Sequence, residues 1–267
     1  MMLPKLEILH HTAQTDDKKG SIVFIHGAFM GAWCWQNNLL PYFAAKGYDT
    51  YAPSLRGHGE SASDGRYKTR RLRHYVEDIS QFLSMLSGKI YLVGHSMGGH
   101  VVQHVLNQSN INIEKSVLIA TVPPKGVWRI TLKTVWHYPL LFAQVNLFHH
   151  FLPLFADANR VQQFFFGTER DDNLLQYVCK NLEEESYLAY LDMLFLDLPK
   201  PKPTKIPILV IGGKEDFFFN EHDVSTTASA FGVKPVFFAN RGHNLFMEKD
   251  WEEVAACMND FFLNFAF

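Results

Sequence analysis

Cysteine is scarce in this chain, and the three present, Cys34, Cys179 and Cys257, are scattered and in no ligand-like spacing. An odd, dispersed set excludes a disulfide framework and a thiolate zinc site, and it fits a reducing, cytoplasmic compartment. Basic clusters are missing as well. Nothing exceeds the short run Arg70-Arg71-Leu72-Arg73, and a net charge of −2 leaves no electrostatic footprint for nucleic acid. The adjacent pair His149-His150 points to different faces of a helix, so no metal site is expected there. The N-terminal stretch MMLPKLEILHH has no apolar core and no small-residue cleavage site, so no export signal is expected. Charge is absent from Thr134 to Ala156, yet Pro139, Gln144, Asn146, His149, His150 and Pro153 interrupt that run, and it is not read as a membrane span.

What the chain does have is an alternation of strand-like and helix-like segments, over a length that can bury a large core. Its centre is Lys89–Val102, KIYLVGHSMGGHVV. An apolar, β-branched run ends at Gly94-His95-Ser96-Met97-Gly98, and Val101, Val102, Val105 and Leu106 follow at helical spacing. This predicts a strand, a tight turn and a helix. Glycine at 94 and 98 lets the two elements approach closely, Ser96 is forced into a strained backbone conformation, and the helix start offers the Met97 amide to a developing oxyanion.

Around that centre, Leu6–Thr12 reads as an edge strand and Ser21–Ile25 as a buried strand leaving into His26-Gly27-Ala28-Phe29. A helix then runs to about Ala45 and stops at Gly47, and Tyr48–Pro53 is a third strand. His26 is read as a hydrogen-bonding strut of its loop rather than a chemical participant. Leu72, Tyr75, Val76, Ile79, Phe82, Leu83 and Leu86 mark an amphipathic helix, and Ser116–Ala120 another strand. The alternation predicts an α/β fold: a mostly parallel, doubly wound sheet whose ligand site lies at the carboxyl ends of the strands.

The period breaks at Pro123-Pro124. Residues 125–205 read as a helical cap domain rich in Trp, Phe and Leu, bounded at its far end by Pro199, Pro201, Pro203 and Pro207; residues 1–124 and 206–267 form the core domain. Strand Ile206–Gly212 then delivers Asp216, a carboxylate set among Phe217-Phe218-Phe219 that needs a partner. A helix to about Phe231, a short strand Lys234–Ala239 and a final helix Trp251–Phe265 follow, with His243 in the loop after the short strand. Ser96, Asp216 and His243 thus each stand just beyond a strand end. A serine hydroxyl is a weak nucleophile that needs a base, and the base needs a carboxylate to fix its tautomer.

Taken together these features resemble the α/β-hydrolase family over nearly the whole chain. The residues that carry the resemblance are His26-Gly27, Arg56-Gly57-His58-Gly59-Glu60-Ser61, the Gly94–Gly98 elbow, Gly212–Asp216 and Gly242-His243. The resemblance implies a serine esterase or lipase-like hydrolase with Ser96 as nucleophile, His243 as general base and acid, and Asp216 as orienting carboxylate; Asp192 and Asp197 are the alternative acids. It implies an oxyanion hole from the amides of Met97 and Ala28, with Phe29 the alternative to Ala28, and no metal or organic cofactor. Serine at position 96 argues against dehalogenase and epoxide-hydrolase chemistry, for which the family carries aspartate there. Carbon–carbon bond, thioester and amide hydrolysis on the same triad stay open, as does a small-molecule receptor or signalling module of the same fold.

The aromatic content of the helical segment exceeds what a thin lid needs for its own packing. Half or more of it is assigned to the core between cap and sheet, and the remainder is expected to line an apolar pocket. The candidates for that lining are Phe29, His95, Trp128, Trp136, Phe142, Phe217 and Phe218. The expected substrate is a small, hydrophobic, uncharged ester. The expected protein is a monomer or homodimer with no membrane span, touching a membrane surface at most transiently through its cap.

Overall fold

The computed structural model describes residues 5–61, 69–108, 111–202 and 204–264. Pro203 and Phe265 of the sequence expectations lie outside them. Strands β1 (Ile8–His11), β2 (Gly20–Ile25), β3 (Tyr48–Pro53), β4 (Ile90–His95), β5 (Ile113–Ile119), β6 (Ile208–Gly213) and β7 (Pro235–Phe238) form one sheet. Its order is β1-β3-β2-β4-β5-β6-β7. Only β1 runs antiparallel, against β3; every other neighbouring pair is parallel. The reason is visible in the residues. Strands β4 and β6 are buried along their whole length, as continuous apolar runs in a parallel sheet covered on both faces must be, whereas β1 alternates with exposed positions at the edge.

Helices cover both faces. Helices α1 (Trp33–Gln36), α2 (Leu39–Ala45), α3 (Leu72–Ser84) and α4 (Met97–Val105) precede β5. Helices α5 (Trp128–His137), α6 (Pro139–Phe148), α7 (Ala158–Phe165), α8 (Asp172–Asn181) and α9 (Tyr187–Leu191) lie between β5 and β6, together with a 3-10 turn at Leu152–Phe155 and a π turn at Asp192–Leu196. No strand occurs there among the described residues. Helices α10 (Glu221–Ala230) and α11 (Trp251–Leu263) complete the chain. On one face Trp35, Phe43, Met258 and Phe262 pack with Ile22 and Phe24; on the other Leu72, Ile79, Val101 and Val224 pack with Val23, Leu92 and Val210. The alternation of side chains along β2 feeds both layers.

Two expectations shift. The helix through Ala45 is broken at Asn37-Asn38 into α1 and α2, because the loop must turn before Leu39, Leu40 and Phe43 can reach the core. Strand β5 begins at Ile113, ahead of Ser116, where the polar pair Glu114-Lys115 masks it. Lys115 is buried and its ammonium donates to the carbonyls of Phe261, Phe262 and Asn264 at the end of α11, which needs a cation there.

Candidate active site

The parallel register brings the carboxyl ends of β2, β4, β5 and β6 to one edge, and the loops leaving them meet there. At the end of β4, Ser96 has φ 50° and ψ −118°, a conformation that costs a non-glycine residue about 1–3 kcal/mol. The surroundings hold it. Its N–H donates to the Ile119 carbonyl at 3.0 Å, and its carbonyl accepts from Val122 and His100, each at 3.2 Å. The flanking glycines are required by close approach: a Cβ at Gly94 would lie 2.6 Å from the Gly98 carbonyl oxygen, and one at Gly98 would run into the carbonyls of Ile25 and His26.

His243 is buried in the loop after β7, and its Nδ1–H donates to Asp216 Oδ2 at 2.9 Å. The other carboxylate oxygen of Asp216 accepts from the amides of Phe218 and Phe219 at 2.7 and 3.0 Å, so the acid is oriented from both sides. With Nδ1 protonated, Nε2 carries the lone pair. The histidine ring lies 4.7 Å from Phe218 and 5.5 Å from Phe219, and its carbonyl accepts from His95 Nε2 at 3.1 Å. Burial and the neighbouring His243 push His95 well below the usual histidine range, so it stays neutral and pins the loop. No hydrogen bond joins the hydroxyl of Ser96 to His243; the two residues share the wall of one cavity.

The loop after β2 closes on the same point. A Cβ at Gly27 would stand 3.0 Å from that of Ser96. Among the described residues no acceptor pairs with the N–H of Ala28, Phe29 or Met97. Phe29 has φ 67°, and its carbonyl accepts from Glu183 at 2.9 Å. His26 serves the loop as a strut. Its Nδ1–H donates to the Gly27 carbonyl at 2.8 Å and its Nε2 accepts from Leu55 N–H at 2.9 Å, a bonding pattern that requires the neutral ring. Burial, with His58 adding to it, pushes its pKa down to about 3.

A cavity of about 120 Å3 adjoins Ser96 and His243, and its wall is mostly apolar. Of the expected lining, Phe29, His95, Phe142 and Phe218 are on it. Trp128, Trp136 and Phe217 are not. The α5 positions that face the cavity are Ile130, Thr131 and Thr134; positions two residues away are about 200° round the helix. Trp128 and Trp136 therefore face outward, 44% and 85% exposed. Phe217 instead packs on Phe164 and under the Lys133 ammonium, 3.6 Å above its ring.

The alternative acids are engaged elsewhere. Asp192 is buried and takes hydrogen bonds from Arg71 and from the Leu72 amide, tying the π turn to the start of α3. Asp197 Oδ1 lies 3.9 Å from His104 Nε2, and the main-chain carbonyl of Asp197 accepts from His100 Nε2 at 2.9 Å. Sequence reasoning missed Glu185, which is buried on the cavity wall, accepts from Tyr75 Oη at 2.9 Å and lies 3.1 Å from His58 Nε2. Burial disfavours charge on His58, but the Glu185 carboxylate outweighs it and raises the histidine. The signal was the run Glu183-Glu184-Glu185, which looks like a solvated surface stretch. In fact Glu183 accepts from Gly59 N–H and Glu184 from Phe151 N–H.

Against known sequences, the model of the alpha/beta hydrolase family matches residues 22–257. The chain belongs to the alpha/beta hydrolase family. Methylesterase 3 of Arabidopsis thaliana is 29% identical over 111 residues, 41% of this alpha/beta hydrolase and 42% of the relative, so the match spans less than half of that protein. A non-heme chloroperoxidase of Burkholderia pyrrocinia is 32% identical over 218 residues, 73% of the chain and 74% of the relative. The solved esterase of Exiguobacterium antarcticum superposes with a TM-score of 0.76 over 98% of this chain and 96% of that one at 18% identity, a likeness of fold alone.

Proposed function

We propose that this alpha/beta hydrolase is a serine carboxylesterase acting on hydrophobic, uncharged acyl esters. The observation that carries the reading is the 2.9 Å bond from His243 Nδ1–H to Asp216, with Ser96 on the same cavity wall at a strained strand-to-helix turn. The Ser96 hydroxyl attacks the ester carbonyl carbon as its proton passes to His243 Nε2, and Asp216 stabilises the resulting imidazolium. Negative charge on the carbonyl oxygen is taken up by the Met97 amide and by that of Ala28 or Phe29, all without other acceptors among the described residues. The tetrahedral centre collapses, the alkoxide leaves with the proton from His243, and Ser96 holds the acyl group as an ester. Water, deprotonated by His243, attacks that ester, and the proton returns to Ser96 as the acid departs. The lack of a hydrogen bond between Ser96 and His243 suits a pair that substrate draws together.

Residues 125–205 act as a cap in this reading, since α5, α6 and α7 contribute Ile130, Phe142, Val145 and Phe164 to the cavity. Such a wall binds acyl chains, each buried methylene gaining about 0.8 kcal/mol. Two or three extra methylenes then raise kcat/KM by roughly tens of fold. Measured on nitrophenyl esters from acetate to laurate, kcat/KM is expected to climb through the medium chain lengths. A monotonic fall from acetate refutes the substrate class and leaves the chemistry of Ser96 to be judged separately.

A further inference from the structure

Helices α5 and α6 are apolar on two opposite faces. Their inner faces, with Ile130, Phe142 and Val145, wall the cavity. Their outer faces carry Trp128 (44% exposed), Leu132 (59%) and Trp136 (85%) on α5, spaced by four, and Leu140 (85%) and Leu147 (73%) on α6, spaced by seven. Those spacings gather each set into one stripe. A helix that merely covers a core in water presents polar residues outward, so this pair is inverted on its solvent side.

The charge on the face selects what covers it. Residues 125–156 contain no Asp or Glu, while Lys125, Arg129 and Lys133 are cations. Arg129 leans on Asp223 at 3.5 Å and Lys133 donates to the Phe217 carbonyl, whereas Lys125 is exposed. A second copy of this chain seated on the same face would bring no carboxylate from these helices to meet the cations. An anionic lipid surface supplies both an apolar layer and negative charge, and tryptophan favours the boundary between the two. Ten-residue helices reach only about 15 Å each, too short to cross a bilayer, and so would lie in its surface. We infer that the outer face of α5 and α6 docks the protein on anionic phospholipid surfaces, with the cavity wall on the other side of the same helices. The inference rests on exposure and charge and is independent of the chemistry at Ser96.

The test is co-sedimentation of the full chain with phosphatidylcholine vesicles, with and without phosphatidylglycerol, alongside the double variant Trp136→Asp, Leu140→Asp. Neither side chain touches the cavity, so turnover of a soluble nitrophenyl ester serves as the control for folding. Wild type is expected to bind the phosphatidylglycerol vesicles with a blue shift of tryptophan emission and to release with salt. The double variant should partition at least about a hundredfold less. Equal partition of the two proteins, absence of binding, or equal binding to both vesicle types overturns the proposal. So does a concentration-dependent dimer that the double variant dissolves.

Discussion

At the scale of single residues, the site depends on the direction in which hydrogen bonds are donated. Asp216 accepts the proton of His243 Nδ1 and so leaves Nε2 to face the cavity. Asp216→Asn would present an amide donor there, favour the other tautomer and is expected to lower kcat by about four orders of magnitude with the fold retained. Asp192→Asn should do the reverse, lowering the unfolding midpoint through its contacts with Arg71 and Leu72 while the folded protein keeps its turnover. Steady-state kinetics and urea melts on both variants separate the two roles, and a silent Asp216 would remove it from the mechanism. That Ser96, Asp216 and His243 stand past the ends of β4, β6 and β7 was legible in the sequence because each follows an apolar, strand-forming run. Trp128 and Trp136 were misread because composition counts aromatic residues without giving the helix phase, and the phase has meaning only once the buried side is known. Glu185 was hidden for a different reason. Three consecutive carboxylates look solvated until the loops that donate to them, at Gly59 and Phe151, are brought into contact.

Among the elements, the strands themselves and the elbow could be read from apolar runs and glycines, while the order of the strands in the sheet and the long-range ties between the helical segment and the core could not. One such tie is Glu248, which accepts from Gly242 N–H at 2.8 Å and from Gly167 N–H at 3.0 Å, joining the residue before His243 to the loop after α7. Burial pushes its pKa up to about 7, against the two amide bonds that favour the charged form. The sign follows from proton counting. Between the ordinary carboxylic range and about pH 7 the folded state holds a proton that the unfolded state has lost, so stability falls as pH rises through that window. The loss is on the order of 3 kcal/mol. In Glu248→Gln this slope should vanish, so the difference in unfolding free energy between variant and wild type should change between pH 4.5 and 7 and level off above it. A difference that does not vary with pH would show that Glu248 does not titrate in that window.

For the molecule as a whole, a mostly parallel sheet collects the loops after β2, β4, β6 and β7 at one edge, and a helical segment between β5 and β6 supplies the apolar wall above them. The family and the sheet follow from patterning that the sequence carries openly. The substrate depends on which helix faces turn inward, and that emerges only from the packing. The central claim is that Ser96 is the nucleophile of an ester hydrolase. It is tested most directly by treating the protein with a fluorophosphonate, following ester turnover, and mapping the adduct by mass spectrometry. The account predicts one adduct per chain, on Ser96, with activity lost in proportion to labelling, and neither labelling nor turnover in a folded Ser96→Ala variant. Full turnover in that variant, or an adduct on another residue accompanying the loss of activity, would contradict it.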